Sequence, residues 1–309
     1  MKILGFLIII LIIFVIPVAD AQLSIGAKAV QKSVDVIINS DGEIHVKHVI
    51  VSSNLPSQVE LIEGTVSNLV VTNEQGEERD LAVVGDNDAV LIFPSNQNSI
   101  VEYNLDNVLS QKDNLWTWDF SYLETTSFIM PEEVDLVFVN GTPIFLGEKN
   151  GIGCHGCKIV LEYSINVLKN INQVNWEDKE FLVETRTSSE IKSFNFNQPT
   201  KKISFKVNDN YQFVTIIIPL ELLWEPYSVF LDDDKILKHE IINNGTHVWL
   251  SMKPETSGEI TIIGTTVIPE PPGSTPPAPG LSTNAVIGII AGVSVGAATL
   301  GYLVFRKRR

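Results

Sequence analysis

The chain has 309 residues, 44% of them apolar, with a net charge of −15 and two cysteines. The apolar fraction excludes a disordered chain, and the charge sign excludes a surface that neutralises a phosphate lattice, so no nucleic-acid partner is expected. Two cysteines do not make a disulfide framework.

The chain opens with Met1-Lys2 and an apolar run from Ile3 to Val18. Ala19-Asp20-Ala21 is a small-x-small cleavage pattern, so residues 1–21 read as a signal peptide and Gln22 as the mature N-terminus. Strand-like periodicity then begins. Val34, Val36 and Ile38 alternate with Ser33, Asp35 and Ile37, Ser40-Asp41-Gly42 signals a turn, and Ile44, Val46 and Ile50 resume the alternation. His45 and His48 fall three apart on that second strand and point to opposite faces, and His48, on the apolar side, reads as a core histidine. Trp116, Trp118, Phe120 and Tyr122 alternate with polar residues and share one face. Such a row is core, or else a platform for sugar rings.

Two short segments echo one another. Pro56–Leu61, Gly64-Thr65 and Val101-Glu102-Tyr103 recur in order as Pro131–Leu136, Gly141-Thr142 and Leu161-Glu162-Tyr163. This is a duplicated β unit or a coincidence of strand chemistry. Asn166–Asp178 reads as the connection to a second β region, with further β-rich runs from Phe181 to Ile263. Many short strands without helical crossovers predict an all-β chain: two antiparallel β-sandwich domains in tandem, 22–166 and 167–266.

Beyond them the composition shifts. Residues 267–284 hold six prolines and read as an extended stalk. Ala285–Phe305 is 21 residues without charge, about 31 Å as a helix and long enough to span a bilayer. Arg306-Lys307-Arg308-Arg309 follows and stays cytoplasmic, which sets a single-pass protein with its N-terminus outside the cell. Gly288, Gly292 and Gly296 form a small-residue stripe that suits lateral self-association. Residues 22–284 retain 17 of the 22 basic and 36 of the 37 acidic residues, a net −19. That charge gathers cations and keeps an exposed surface soluble.

The most pointed chemical feature is Cys154-His155-Gly156-Cys157. Outside the cell it reads first as a local disulfide between Cys154 and Cys157. The alternatives are a redox pair, or half of a copper or zinc site with Cys154, His155 and Cys157 as ligands. The strand-like Lys158–Tyr163 that follows offers no helix N-terminus to favour a thiolate, and zinc wants four ligands. Asp86-Asn87-Asp88 and Asp232-Asp233-Asp234 read as acidic turns rather than calcium loops. Asn140-Gly141-Thr142 and Asn244-Gly245-Thr246 are glycosylation sequons, the first followed by Pro143, which weakens it as an acceptor. No nucleophile elbow, phosphate loop or zincin motif is present, so no enzyme and no resident cofactor are expected.

Phe194-Asn195-Phe196, Lys202–Phe205, Leu222-Leu223, Pro226-Tyr227, Asn244–His247 and Ile263-Gly264-Thr265-Thr266-Val267-Ile268-Pro269-Glu270 resemble a C-terminal module of archaeal cell-surface proteins. The Trp116–Tyr122 and Cys154–Tyr163 stretches are similar to uncharacterised proteins of ammonia-oxidising archaea. The resemblance implies a β-sandwich before a membrane anchor and surface-layer or envelope proteins as partners, with no catalytic residue. Pro271 stands where the family's Pro-Glu pair is followed by Phe, which favours plain membrane retention over sorting at that point.

Overall fold

The computed structural model describes residues 26–112 and 114–265. The signal segment, the stalk, the apolar segment 285–305 with Gly288, Gly292 and Gly296, and the basic tail lie outside the described residues. Among the described residues the fold is all-β, interrupted only by a 3₁₀ turn at Gly147–Lys149, and no helix is long and apolar enough to cross a membrane.

The predicted first hairpin is present as Gln31–Ile38 and Ile44–Ile50. Its alternation does what the pattern dictates: Val34, Val36, Ile38, Ile44, Val46 and Ile50 are buried, each stabilising by about 1.5–3 kcal/mol. On the outer face Asp35, Lys47 and Glu102 sit side by side across three strands, with Lys47 Nζ 3.5 Å from Glu102. Such a cross-strand pair adds only about 0.2–1 kcal/mol.

Three sheets enclose the first core. The central hairpin belongs to a six-stranded sheet that also holds Thr65–Asn73, Ser99–Asp106, Thr126–Ile129 and Gly151–Cys154. A four-stranded sheet holds Ala27–Lys28, Ser57–Glu60, Leu81–Val84 and Ala89–Ile92, and a five-stranded sheet Ser110–Lys112, Leu115–Tyr122, Leu136–Val139, Thr142–Phe145 and Cys157–Tyr163. Their inner faces meet in one cluster from Ala29 to Tyr163. A second cluster, Val174 to Ile262, is buried between two five-stranded sheets. One holds Leu168–Trp176, Lys179–Thr187, Val214–Pro219, His239–Asn243 and His247–Met252. The other holds Ile191–Asn197, Lys202–Val207, Trp224–Leu231, Asp234–Lys235 and Gly258–Thr265.

Three expectations change. The pairing is not wholly antiparallel: Thr126–Ile129 runs parallel to Gln31–Ile38, and Ala27–Lys28 parallel to Ser57–Glu60. Thr126–Ile129 arrives from the facing sheet, so it enters beside Gln31–Ile38 in the same direction rather than returning through a hairpin. The presumed connection 166–178 contains a nine-residue strand, Leu168–Trp176, paired in unbroken register with Lys179–Thr187. It is an edge strand exposed over most of its length, and its apolar residues, Leu168, Ile171, Val174 and Trp176, keep no regular period-two spacing, so no alternation betrays it. The two echo segments take unlike places. Ser57–Glu60 is a strand in the four-stranded sheet, whereas Pro131–Asp135 is mostly turn leading into Leu136–Val139.

Candidate functional site

The Cys154-His155-Gly156-Cys157 loop sits where one two-stranded ribbon bends from sheet to sheet. Tyr122 is paired with Cys157 in the five-stranded sheet, and Thr126 with Cys154 in the six-stranded sheet. Residues 123–125 and 155–156 cross the gap side by side. The two cysteines form the disulfide across this corner, with Cα atoms 5.9 Å apart. His155 is exposed and its Nδ1 meets Thr125 Oγ1. The sulfurs are consumed by each other, and no group of three or more metal-ligating side chains occurs among the described residues. Beside the corner opens a cleft of about 660 Å³ lined by Lys28, Glu60, Asp88, Ser121, Tyr122 and Leu123.

Beneath that cleft lies a closed polar network. Tyr122 donates to Glu60 O at 2.6 Å and accepts from Gln31 Nε2 at 3.0 Å. Gln31 Oε1 is then left to accept from His48 Nδ1 at 2.7 Å. That fixes the tautomer, so His48 Nε2 accepts from Tyr103 Oη at 3.0 Å, and Tyr103 accepts the Ile62 N–H at 3.0 Å. The chain ties all three sheets of the first core together. Burial pushes the His48 imidazole down to about 4 and pushes the Tyr103 and Tyr122 phenols up. The histidine is neutral and structural, as its place on the apolar face implied.

Most of the aromatic row is core. Trp118 is 2% exposed and packs edge-on against Phe120 and Phe128, while Trp116, half-buried, stacks on Tyr163. Both acidic runs are hairpin turns, with Asp232 Oδ1 accepting the Glu259 N–H.

A second cleft, about 460 Å³, lies between the two cores and has no local sequence signal. Its floor is an ion pair between Lys253 and Glu162, residues 91 apart in sequence and 4% and 11% exposed. The Lys253 ammonium also lies 6.0 Å from the Phe138 ring and 5.6 Å from that of Tyr211. Arg186 reaches Asp135 at 3.2 Å, Lys238 donates to Asn140 O at 3.0 Å, and Phe138 packs on Phe213. Nearby, burial raises the Glu240 carboxyl, partly offset by the Phe145 N–H. Of these contacts the buried Lys253–Glu162 pair is the costly one to break, whereas Arg186–Asp135, with Asp135 57% exposed, adds little.

Both sequons are exposed turns. Asn140-Gly141 is the two-residue loop of the hairpin Leu136–Val139 and Thr142–Phe145, both residues left-handed, and Asn140 Oδ1 accepts the Val160 N–H. Asn244 Oδ1 accepts from Thr246 N, Thr246 Oγ1 and His247 N.

Residues that carry the sequence resemblance converge on one corner of the second core. Tyr227 donates to Leu223 O at 2.7 Å, and Thr265 Oγ1 to Glu225 O at 2.9 Å. A Cβ on Gly264 would fall 2.7 Å from Leu223 Cγ and 2.8 Å from Trp224 O, so only glycine fits. No protein-family model matches this chain, and a search of curated proteins finds no match.

Proposed function

We propose that the chain is a non-enzymatic, membrane-anchored cell-surface protein, envelope-structural or partner-binding. In this reading residues 22–166, with a core enclosed by three sheets, and 167–266, a β-sandwich, are β domains in tandem, 267–284 holds them off the bilayer, and 285–305 spans it. The single observation that carries the reading is the pairing of an apolar segment closed by Ala19-Asp20-Ala21 with a second one closed by Arg306–Arg309. The disulfide at an exposed corner supports an oxidising compartment. The likeness to archaeal surface modules supports the same reading, and Asn244, on an exposed turn, is the better glycan acceptor of the two sequons. The test is labelling of intact cells with a membrane-impermeant amine reagent. Lysines of the 22–266 region are labelled before lysis and Lys307 only after it; labelling of the whole chain only after lysis refutes the reading.

A second reading is a redox protein in which Cys154–Cys157 accepts two electrons and two protons from a partner dithiol, leaving two thiols here and a disulfide there. It is favoured by the exposure of His155 beside the disulfide. A mixed disulfide trapped on Cys154→Ser or Cys157→Ser supports it. A pair that stays oxidised against excess dithiol, with no trapped partner, refutes it.

A further inference from the structure

Open sheet edges invite pairing with other chains, and this fold blunts nearly all of its own. The outer strands Ala27–Lys28, Leu81–Val84, Ser110–Lys112, Gly151–Cys154 and Asp234–Lys235 have two to four residues. Thr142–Phe145 carries Pro143, and the Glu240 carboxylate of His239–Asn243 takes its Phe145 N–H. Thr65–Asn73 and Ile191–Asn197 are broken by bulges.

Leu168–Trp176 has none of these protections. It has nine residues in regular register, with no proline and no acid, and no strand beyond it among the described residues. Apolar side chains stand exposed along it and beside it: Ile171 at 67%, Leu182 at 54% and Leu168 at 44%. This neutral-to-basic edge belongs to a region of net charge −19.

We propose that this edge pairs antiparallel with the same strand of a second copy, about a two-fold axis at Asn172. The sequence is self-complementary in that register. Asn172 meets its own copy, Asn170 meets Val174, Leu168 meets Trp176 and Lys169 meets Asn175, so no like charges face one another. On the outer face Ile171 meets Gln173, and the two Ile171 side chains become diagonal neighbours flanked by both Leu182 residues. The second copy also brings a strand already ordered by its ladder to Lys179–Thr187, whereas a free peptide must lose chain entropy to bind. The pairing goes beyond the surface reading and does not depend on where the chain resides.

The test is disulfide trapping on the purified full chain in detergent, where Cys154 and Cys157 are already paired. Facing residues in an antiparallel pair lie about 4.5–5.5 Å apart between Cα atoms, within disulfide range. Asn172→Cys therefore gives a reducible covalent dimer. Asn170→Cys gives none, because its own copy is four residues along the partner strand, about 13 Å away. The double variant Lys169→Cys/Asn175→Cys, at two exposed positions, dimerises while neither single variant does. Adding Ile171→Asp to Asn172→Cys lowers the dimer yield about tenfold. Absence of a dimer from both Asn172→Cys and the double variant, or equal yields at every position, overturns the proposal. So does a cross-link to a different polypeptide.

Discussion

Lowering the pH should weaken this fold in part through His48. In the unfolded chain the imidazole takes up a proton near its ordinary value of 6.5; in the folded chain burial delays protonation to about 4. Between those values the unfolded state binds more protons, so stability rises with pH. The contribution is complete above about 6.5 and is lost as pH falls toward 4. At about 1.4 kcal/mol per pH unit, the loss amounts to about 3 kcal/mol. For a fold of this size that is roughly 6–12 °C in Tm. No carboxylate belongs to the network, whose other side chains are Gln31, Tyr103 and Tyr122. The perturbation is His48→Gln, which keeps a donor and an acceptor but never charges. Its baseline stability falls by about 1–3 kcal/mol because the replaced contacts fit less well. The assay is thermal or urea unfolding of both chains from pH 7 to pH 4. Wild type should lose about 3 kcal/mol more than the variant across that window. Parallel pH profiles, or a His48 resonance titrating near 6.5, would show that His48 is not held neutral by burial.

Lys253→Met leaves the Glu162 carboxylate buried without its partner and should cost about 3–5 kcal/mol in urea unfolding; adding Glu162→Leu should restore most of it. Cys154→Ser with Cys157→Ser opens a four-residue loop, so the loss should be only about 2 kcal/mol, with the fold intact by circular dichroism. Trp118→Ala, deep in the first core, should cost about 3–5 kcal/mol, and Trp116→Ala clearly less because its ring is only partly buried.

What the sequence disclosed follows from locality. The hairpin around Ser40-Asp41-Gly42, the aromatic row and the core placement of His48 are written in period-two alternation, which reports burial directly. Leu168–Trp176 escaped because an edge strand buries little, and its Asn-rich composition resembles a loop. The parallel pairing of Thr126–Ile129 depends on a change of sheet that no local pattern encodes. The same holds for the second cleft: Glu162 is an ordinary strand residue and Lys253 an ordinary loop residue until the two cores meet. Conversely, the resemblance motif around Gly264 was legible by type but not by purpose, and the structure gives it a packing role at Leu223 and Tyr227.

A surface role for this protein requires the β region to face outward from the membrane. The most direct measurement adds protease to intact cells carrying an epitope after Arg309. The expected result is that residues 22–266 are shaved off as soluble fragments, while a membrane-bound remnant with the epitope survives until lysis. A chain that resists protease at full length on intact cells and is digested only after lysis would contradict it.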